Sequence, residues 1–306
     1  MTRHRVILAA PADPVFLERV SRHENFAVED HSKSPDLRDA LPGASILVTR
    51  SNVTVTRELI DHADRLKLIL QGTSGVDNVD LDAARSRGIE VVTIPGMNAN
   101  AVAESVLGML ITLTRELPRY HADVMSGSWE RGQCSRQSEI GARSIGIVGL
   151  GRVGSRLASL LSAVGATPSA FDPFVAPARF ESFGANRAPT FEQLLRNSDA
   201  ISFHVPLTDQ TRGMLGRNQI AMLRAGTVVI NTSRGAVVDF ADLIDGLESG
   251  HLGGAWVDVF EDEPPELESL PAHPNLILTP HIAGCTREAR GAIGEAMFRE
   301  LLARFP

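Results

Sequence analysis

The segment Ser144-Ile-Gly-Ile-Val-Gly-Leu-Gly-Arg-Val-Gly154 constrains this chain more than any other. It carries glycines at 149, 151 and 154, the spacing GxGxxG, between an apolar run and a stretch of helical periodicity. In a chain with 26 glycines the pattern alone is weak, and its context makes it specific. Val153, Leu157, Leu160, Leu161 and Val164 fall on one helix face. A second apolar run ends at Phe171, and Asp172 follows 18 positions after Gly154. Gly149 permits a tight turn, Gly151 lets a pyrophosphate approach the backbone, and Gly154 lets the helix pack closely on the strand. The first helical N–H groups then face the phosphate. Asp172 would accept hydrogen bonds from ribose hydroxyls and repel a 2′-phosphate, which makes NAD rather than NADP the expected cofactor.

Apolar, β-rich runs recur at Arg5–Ala10, Ile46–Thr49, Leu66–Gln71, Glu90–Thr93, Ser144–Val148, Thr167–Phe171, Ala200–His204, Thr227–Asn231, Ala255–Phe260 and Leu276–Thr279. Helix-period segments separate many of them, which predicts an α/β protein whose parallel sheets are covered on both faces. A boundary is expected at Pro95–Asn100, where a Pro-Gly turn and capping asparagines open a long helical segment, Ala101–Leu117. A final helix, roughly Arg287–Arg304, is free to return to either domain.

Composition narrows the function classes. At 306 residues the chain accommodates about two domains, with 43% hydrophobic and 22% charged residues as in ordinary globular proteins. A net charge of −7 offers no basic footprint for nucleic acid. The apolar stretch Val102–Leu113 is short and interrupted by Glu104, so no membrane span is expected. Two cysteines, Cys134 and Cys285, form no disulfide framework and no zinc pattern, so no metal is expected. The amino terminus reaches Asp13 and Glu18 without a cleavable apolar region, which makes the cytoplasm the expected compartment.

Three downstream groups follow predicted strands: Arg234 after Val228–Asn231, Glu263 after Ala255–Phe260, and His281 after Leu276–Leu278. If those strands run parallel to the one before Gly149, all three lie at the carboxyl edge where a dinucleotide binds. Reduction of a 2-oxo acid needs a hydride at carbon and a proton at oxygen, and an imidazole can supply the proton. A neighbouring carboxylate would stabilise the imidazolium. An arginine fork suits the substrate carboxylate and polarises the carbonyl beside it. From the residues alone, Glu261 competes with Glu263, His281 could be a solvated loop histidine, and Arg234-Gly235 could be turn chemistry.

Seven ordered motifs carry a likeness across nearly the whole chain: Gly75-Val-Asp-Asn-Val-Asp80, Asn98-Ala-Asn-Ala-Val-Ala-Glu104, Gly149–Gly154 with Asp172-Pro173, His204-Val-Pro-Leu-Thr208, Asn231-Thr-Ser-Arg-Gly235, Val257-Asp-Val-Phe-Glu-Asp-Glu-Pro264 and Pro280-His-Ile-Ala-Gly284. The chain resembles the D-isomer-specific 2-hydroxyacid dehydrogenases, and within them most the phosphoglycerate dehydrogenase branch.

The resemblance implies two Rossmann-like, flavodoxin-like domains with parallel sheets. Residues 98–284 would form the NAD-binding domain, inserted into a substrate domain of residues 1–97 and 285–306. It implies that Arg234, Glu263 and His281 are catalytic, and it prefers Glu263 to Glu261 because the family's glutamate directly precedes proline. Besides the glycines, Arg152, Val153, Asp172, Val205, Thr232, Asp258 and Gly284 would line the cofactor, with Asp258 meeting the nicotinamide amide. Ser74 and Gly75 would offer backbone N–H groups to the substrate carboxylate, and Arg50 matches a position that helps bind acidic substrates in some relatives. A strand-end turn and a surface charge are the plain alternatives for these three.

The implied partners are a small 2-oxo or 2-hydroxy acid and a second copy of the chain. The apolar helix at Ala101–Leu113 is as readily core as interface. With the chain ending at Pro306, the regulatory extension of some phosphoglycerate dehydrogenases, and with it serine control, is not expected. Trp256 departs from the smaller residues common at its position and is expected to alter packing beneath the nicotinamide. Similarity to glyoxylate or hydroxypyruvate reductases, which share the catalytic trio, is the nearest alternative. Formate dehydrogenase is disfavoured, since its imidazole partner is an amide where this chain has Glu263. A non-catalytic NAD-sensing module, similar to the family's corepressors, is the alternative of a different class, and those corepressors also retain the trio.

Overall fold

A computed structural model describes residues 3–34, 36–129 and 137–306. Cys134, Met1 and Thr2 lie outside the described residues, and Cys285 is exposed. The chain divides into two units, Met1–Asn98 with Cys285–Pro306, and Ala99–Gly284. Each is a parallel sheet.

In the first unit the strands are β1 (His4–Leu8), β2 (Phe26–Asp30), β3 (Ile46–Thr49), β4 (Leu68–Gln71) and β5 (Glu90–Thr93), in the order β2-β1-β3-β4-β5. Central strands β3 and β4 are buried at every residue, as a sheet covered on both faces requires. One face packs Val6, Leu8, Phe16 and Phe26 against Ile293, Met297 and Leu301 of the final helix. That helix spans Arg287–Arg304, opened by the Thr286 hydroxyl accepting from the Ala289 N–H. The other face packs Ile7, Leu47 and Ile69 against Leu41, Ile60 and Ala84.

The second unit holds β6 (Ile145–Val148), β7 (Ser169–Phe171), β8 (Asn186–Arg187), β9 (Ala200–Phe203), β10 (Thr227–Asn231), β11 (Leu252–Val257) and β12 (Leu276–Leu278). Their order is β12-β11-β10-β9-β6-β7-β8, all parallel. Strand order reverses between β6 and β9, and ligands of open α/β sheets bind at the carboxyl edge beside such a switch.

Several sequence expectations need adjustment. Strands β2 and β8 were absent from the apolar pattern: β2 runs Phe-Ala-Val-Glu-Asp with one buried residue, and β8 is two exposed residues at a sheet edge. Edge strands need no continuous apolar run. The strand expected at Ala255–Phe260 is Leu252–Val257, because Gly253 and Gly254 lie within it rather than in a turn. The long helix covers Ala99–Thr114, and a second helix, Leu117–Met125, begins after Glu116, whose φ of 49° breaks the first. Ala103, Val106, Leu110 and Leu113 sit in the unit's core. In the helix after the glycine turn, Arg152–Ala163, Leu157 and Leu161 are fully buried, whereas Val164 has become the C-cap and is exposed.

Candidate active site

Because β10, β11 and β12 are parallel neighbours of β9 and β6, the loops that follow them emerge on one edge of the sheet. The loop after β12 carries His281 and the loop after β11 carries Glu263. His281 Nδ1 lies 2.8 Å from Glu263 Oε2. The other carboxylate oxygen, Oε1, accepts from the Phe260 N–H at 3.1 Å, which fixes the plane of the group. Burial raises the Glu263 pKa, but the His281 hydrogen bond and charge, the Phe260 N–H and the Arg234 charge outweigh it, so the carboxyl sits below its ordinary value. The competitor Glu261 is engaged elsewhere, with its Oε1 3.0 Å from Arg212 Nη1 on the exposed surface.

Arg234 is positioned by its own turn. Asn231, 1% exposed, accepts from the Ser233 N–H and hydroxyl and donates its amide N–H to the Arg234 carbonyl at 2.9 Å. A Cβ on Gly235 would lie 2.0 Å from the Phe260 carbonyl carbon and 2.2 Å from the Glu261 nitrogen. Only glycine lets the arginine turn touch the backbone that leads to Glu263. Nothing in the sequence alone gives Asn231 or Gly235 a task, although both stand inside the motif around Arg234.

His281 has φ of 54°, a left-handed conformation that costs a non-glycine residue about 1–2 kcal/mol. Asp258, 1% exposed, holds it there. The Asp258 carbonyl accepts the His281 N–H at 2.8 Å, while its carboxylate accepts from the Ile282 and Ala283 N–H groups at 2.8 Å each and from the Thr279 hydroxyl. The family resemblance implies a cofactor contact for Asp258. In the fold its carboxylate also organises the histidine loop.

The glycine turn has the shape a dinucleotide needs. Gly149 adopts φ of 90°, and a Cβ there would lie 2.6 Å from the His204 carbonyl oxygen and 2.9 Å from Val205 Cγ1. A Cβ on Gly154 would lie 2.0 Å from the Gly149 oxygen, so helix and turn are in contact. A Cβ on Gly151 would meet nothing within 4 Å, so the backbone is open beside the first turn formed by Arg152 and Val153, where a helix N-terminus suits a phosphate. Asp172 Oδ2 accepts from the Leu150 N–H at 2.8 Å and Oδ1 from the Phe174 N–H at 2.9 Å. Each oxygen keeps a lone pair for a ribose hydroxyl. Thr232 Oγ1 is buried with no hydrogen-bond partner among the described residues, a polar atom that a bound ligand could satisfy. Gly284 is half-buried and ends the unit. These residues fit a bound dinucleotide.

In the first unit, Ser74 Oγ accepts from the Gly96 N–H at 3.3 Å, and the Gly75 carbonyl accepts from Gln71 Nε2 at 3.1 Å. Asn78 ties this loop to β3 by donating to the Arg50 carbonyl at 3.0 Å. The Arg50 guanidinium donates to buried Asp13 at 3.2 Å, and Arg290 donates to the other oxygen of Asp13 at 2.9 Å. Asp13 and Arg290 lie 37 positions before and 240 after Arg50 (290 minus 50), which is why the sequence did not link them. Among the described residues no cluster of three or more His, Cys, Asp or Glu is gathered as metal ligands, and no helix is long and apolar enough to cross a membrane.

The profile described as "D-isomer specific 2-hydroxyacid dehydrogenase, NAD binding domain" matches residues 107–283, more than half of the chain. The chain belongs to the D-isomer-specific 2-hydroxyacid dehydrogenase family. Members similar to it include the D-3-phosphoglycerate dehydrogenase of Bacillus subtilis, 38% identical over 87% of this chain and 50% of that protein. The Archaeoglobus fulgidus D-3-phosphoglycerate dehydrogenase is 35% identical over 95% of this chain and 56% of that protein. The chain thus spans about half the length of the curated relatives it matches. Among solved structures, the D-lactate dehydrogenase of Aquifex aeolicus, complexed with NAD and lactic acid, superposes with a TM-score of 0.86 at 29% identity, over 98% of this chain and 95% of the other. The NAD-dependent formate dehydrogenase of Staphylococcus aureus, in complex with NAD, gives 0.85 at 27% identity, over 99% and 95%.

Proposed function

We propose that this family member is an NAD-dependent oxidoreductase moving a hydride between nicotinamide and C2 of a small 2-oxo or 2-hydroxy acid, with 3-phosphoglycerate as its substrate. The His281–Glu263 pair, on the sheet edge that also carries the glycine turn, supports this most strongly. In the reducing direction, bound NADH would supply the hydride to C2. His281 would deliver a proton from Nε2 to the carbonyl oxygen, because Nδ1 faces Glu263 and serves as the fixed end of the ring. Glu263 would hold the imidazole in place and balance its charge. Arg234 would grip the substrate carboxylate and polarise the carbonyl.

Gly149, Gly151, Gly154, Arg152 and Val153 would receive the pyrophosphate, and Asp172 the adenosine ribose. Val205, Thr232, Asp258 and Gly284 are carried forward as cofactor contacts, and Arg50, Ser74 and Gly75 as substrate contacts. Residues 98–284 would be the NAD-binding domain and 1–97 with 285–306 the substrate domain. A cytoplasmic homodimer is part of the same reading, with the helix Ala99–Thr114 contributing to its interface.

One observation favours a second substrate class. The Arg50 guanidinium already bonds Asp13, which reduces the charge it can offer a distal phosphate and favours glyoxylate or hydroxypyruvate. The name carried by the curated relatives favours 3-phosphoglycerate. NADH and NADPH oxidation with phosphohydroxypyruvate, hydroxypyruvate, glyoxylate, pyruvate and 2-oxoglutarate separates the two. The proposal expects NADH-linked turnover with phosphohydroxypyruvate foremost; preference for glyoxylate or hydroxypyruvate would move the substrate assignment. No turnover with any acid, alongside tight NADH binding, would replace the enzyme by an NAD-binding module.

A further inference from the structure

Trp256 lies near the end of β11, two residues before Asp258, and its side chain is buried at 2% exposure. Its indole N–H donates to Thr279 Oγ1 at 2.8 Å. Having accepted that bond, the Thr279 hydroxyl donates its single proton to Asp258 Oδ1 at 2.5 Å. The direction of this relay is not a matter of choice: an indole N–H only donates, a carboxylate only accepts, and the hydroxyl has one proton to give. Asp258 passes the constraint on, accepting the N–H groups of Ile282 and Ala283, the two residues that follow His281. A chain of hydrogen bonds therefore runs from the indole to the backbone that aims the imidazole.

We infer that Trp256 is a positioning residue for His281, acting through Thr279 and Asp258. The assignment rests on the reading of His281 as proton donor. A left-handed backbone at a non-glycine residue persists only while its surroundings over-determine it. The indole N–H locks the Thr279 rotor, the rotor fills one lone pair of Asp258, and Asp258 fixes the two amides. A phenyl ring at 256 would keep most of the packing volume and remove only the donor. The Thr279 hydroxyl would then be free to turn from Asp258, and the histidine loop would lose one of its fastenings. Displacement of a proton donor by a fraction of an ångström is enough to slow transfer.

The test uses Trp256→Phe, Thr279→Val, Thr279→Ser and the Trp256→Phe/Thr279→Val double variant. With the best acid of the panel, the Phe and Val variants should lose about tenfold in kcat with an unchanged KM for NADH. Thr279→Ser should stay within about twofold of wild type, because it restores the hydroxyl. The double variant should be no slower than Thr279→Val alone, since the indole acts only through that hydroxyl. In the ligand-free protein, amide exchange at Ile282 and Ala283 should speed up about tenfold in both single variants while the β10 amides do not change. Additive losses, an unchanged kcat in Trp256→Phe, or unchanged exchange at the two amides would each overturn the assignment. Inactivity of the wild type towards every acid would sink the dehydrogenase reading instead, and the exchange readout would still decide whether the relay holds the loop.

Discussion

His281 Nδ1 and Glu263 Oε2 are 2.8 Å apart across 18 residues of chain. The distance is a product of topology, since the two residues follow adjacent parallel strands. It has a consequence for acid stability. Glu263 is ionised more readily in the folded protein than at its ordinary value of 4.5. Its contribution is therefore fully present above 4.5 and is lost as pH falls through the lower folded value. Melting temperature measured against pH should decline across that acid window in wild type and decline less steeply in Glu263→Gln.

His204 follows β9 and contacts Ser202 Oγ through Nε2 at 2.9 Å. Although part of the residue reaches solvent, its ring is packed deep enough for burial to push its pKa down from 6.5 to about 3. The unfolded chain takes up this proton below 6.5 and the folded one does not, so stability falls as pH drops from 6.5 towards 3. His204→Gln should flatten the melting curve in that interval, whatever its effect on the melting temperature at neutral pH.

Gly235 offers a packing test of the arginine turn. Alanine there would drive a methyl group into the Phe260–Glu261 backbone, which cannot move without shifting Glu263. Gly235→Ala should cost about 1–3 kcal/mol of stability. It should also lower kcat/KM more than Ala236→Gly, a neighbouring change with no such contact. Denaturant unfolding and steady-state kinetics read both quantities.

Under the proposed function, Asp172 sets the preference between NAD and NADP. Its carboxylate is held by the Leu150 and Phe174 N–H groups with capacity for ribose hydroxyls on both oxygens. Asp172→Ala should weaken NADH about tenfold, the worth of one or two hydrogen bonds, and should improve NADPH by removing a like charge. Fluorescence titration with each cofactor would show the preference narrowing; unchanged affinities would remove Asp172 from the site.

The sequence made the candidate groups easier to read than the framework around them. GxGxxG, Asp172 and the residues after each strand are local patterns that one short segment displays whole. The sheet edges were harder, because β2 and β8 are polar enough to resemble loops. Hardest were contacts closed by tertiary structure. Trp256 looked like an unusual packing residue until its N–H met Thr279, 23 positions away. That the Asp258 carboxylate fastens the histidine loop is visible only once Ile282 and Ala283 are folded against it. The pairing of Arg50 with Asp13, 37 positions earlier, is likewise made by the fold alone. Side-chain pairing across strands has no periodicity for a sequence to display.

The most direct test of the account compares His281→Ala with wild type in two experiments on the same protein: turnover of a 2-oxo acid with NADH, and NADH binding without substrate. The account predicts a loss in kcat of about 10²–10⁴-fold with the NADH dissociation constant unchanged. Turnover equal to wild type would contradict it, because the proton would then come from another group.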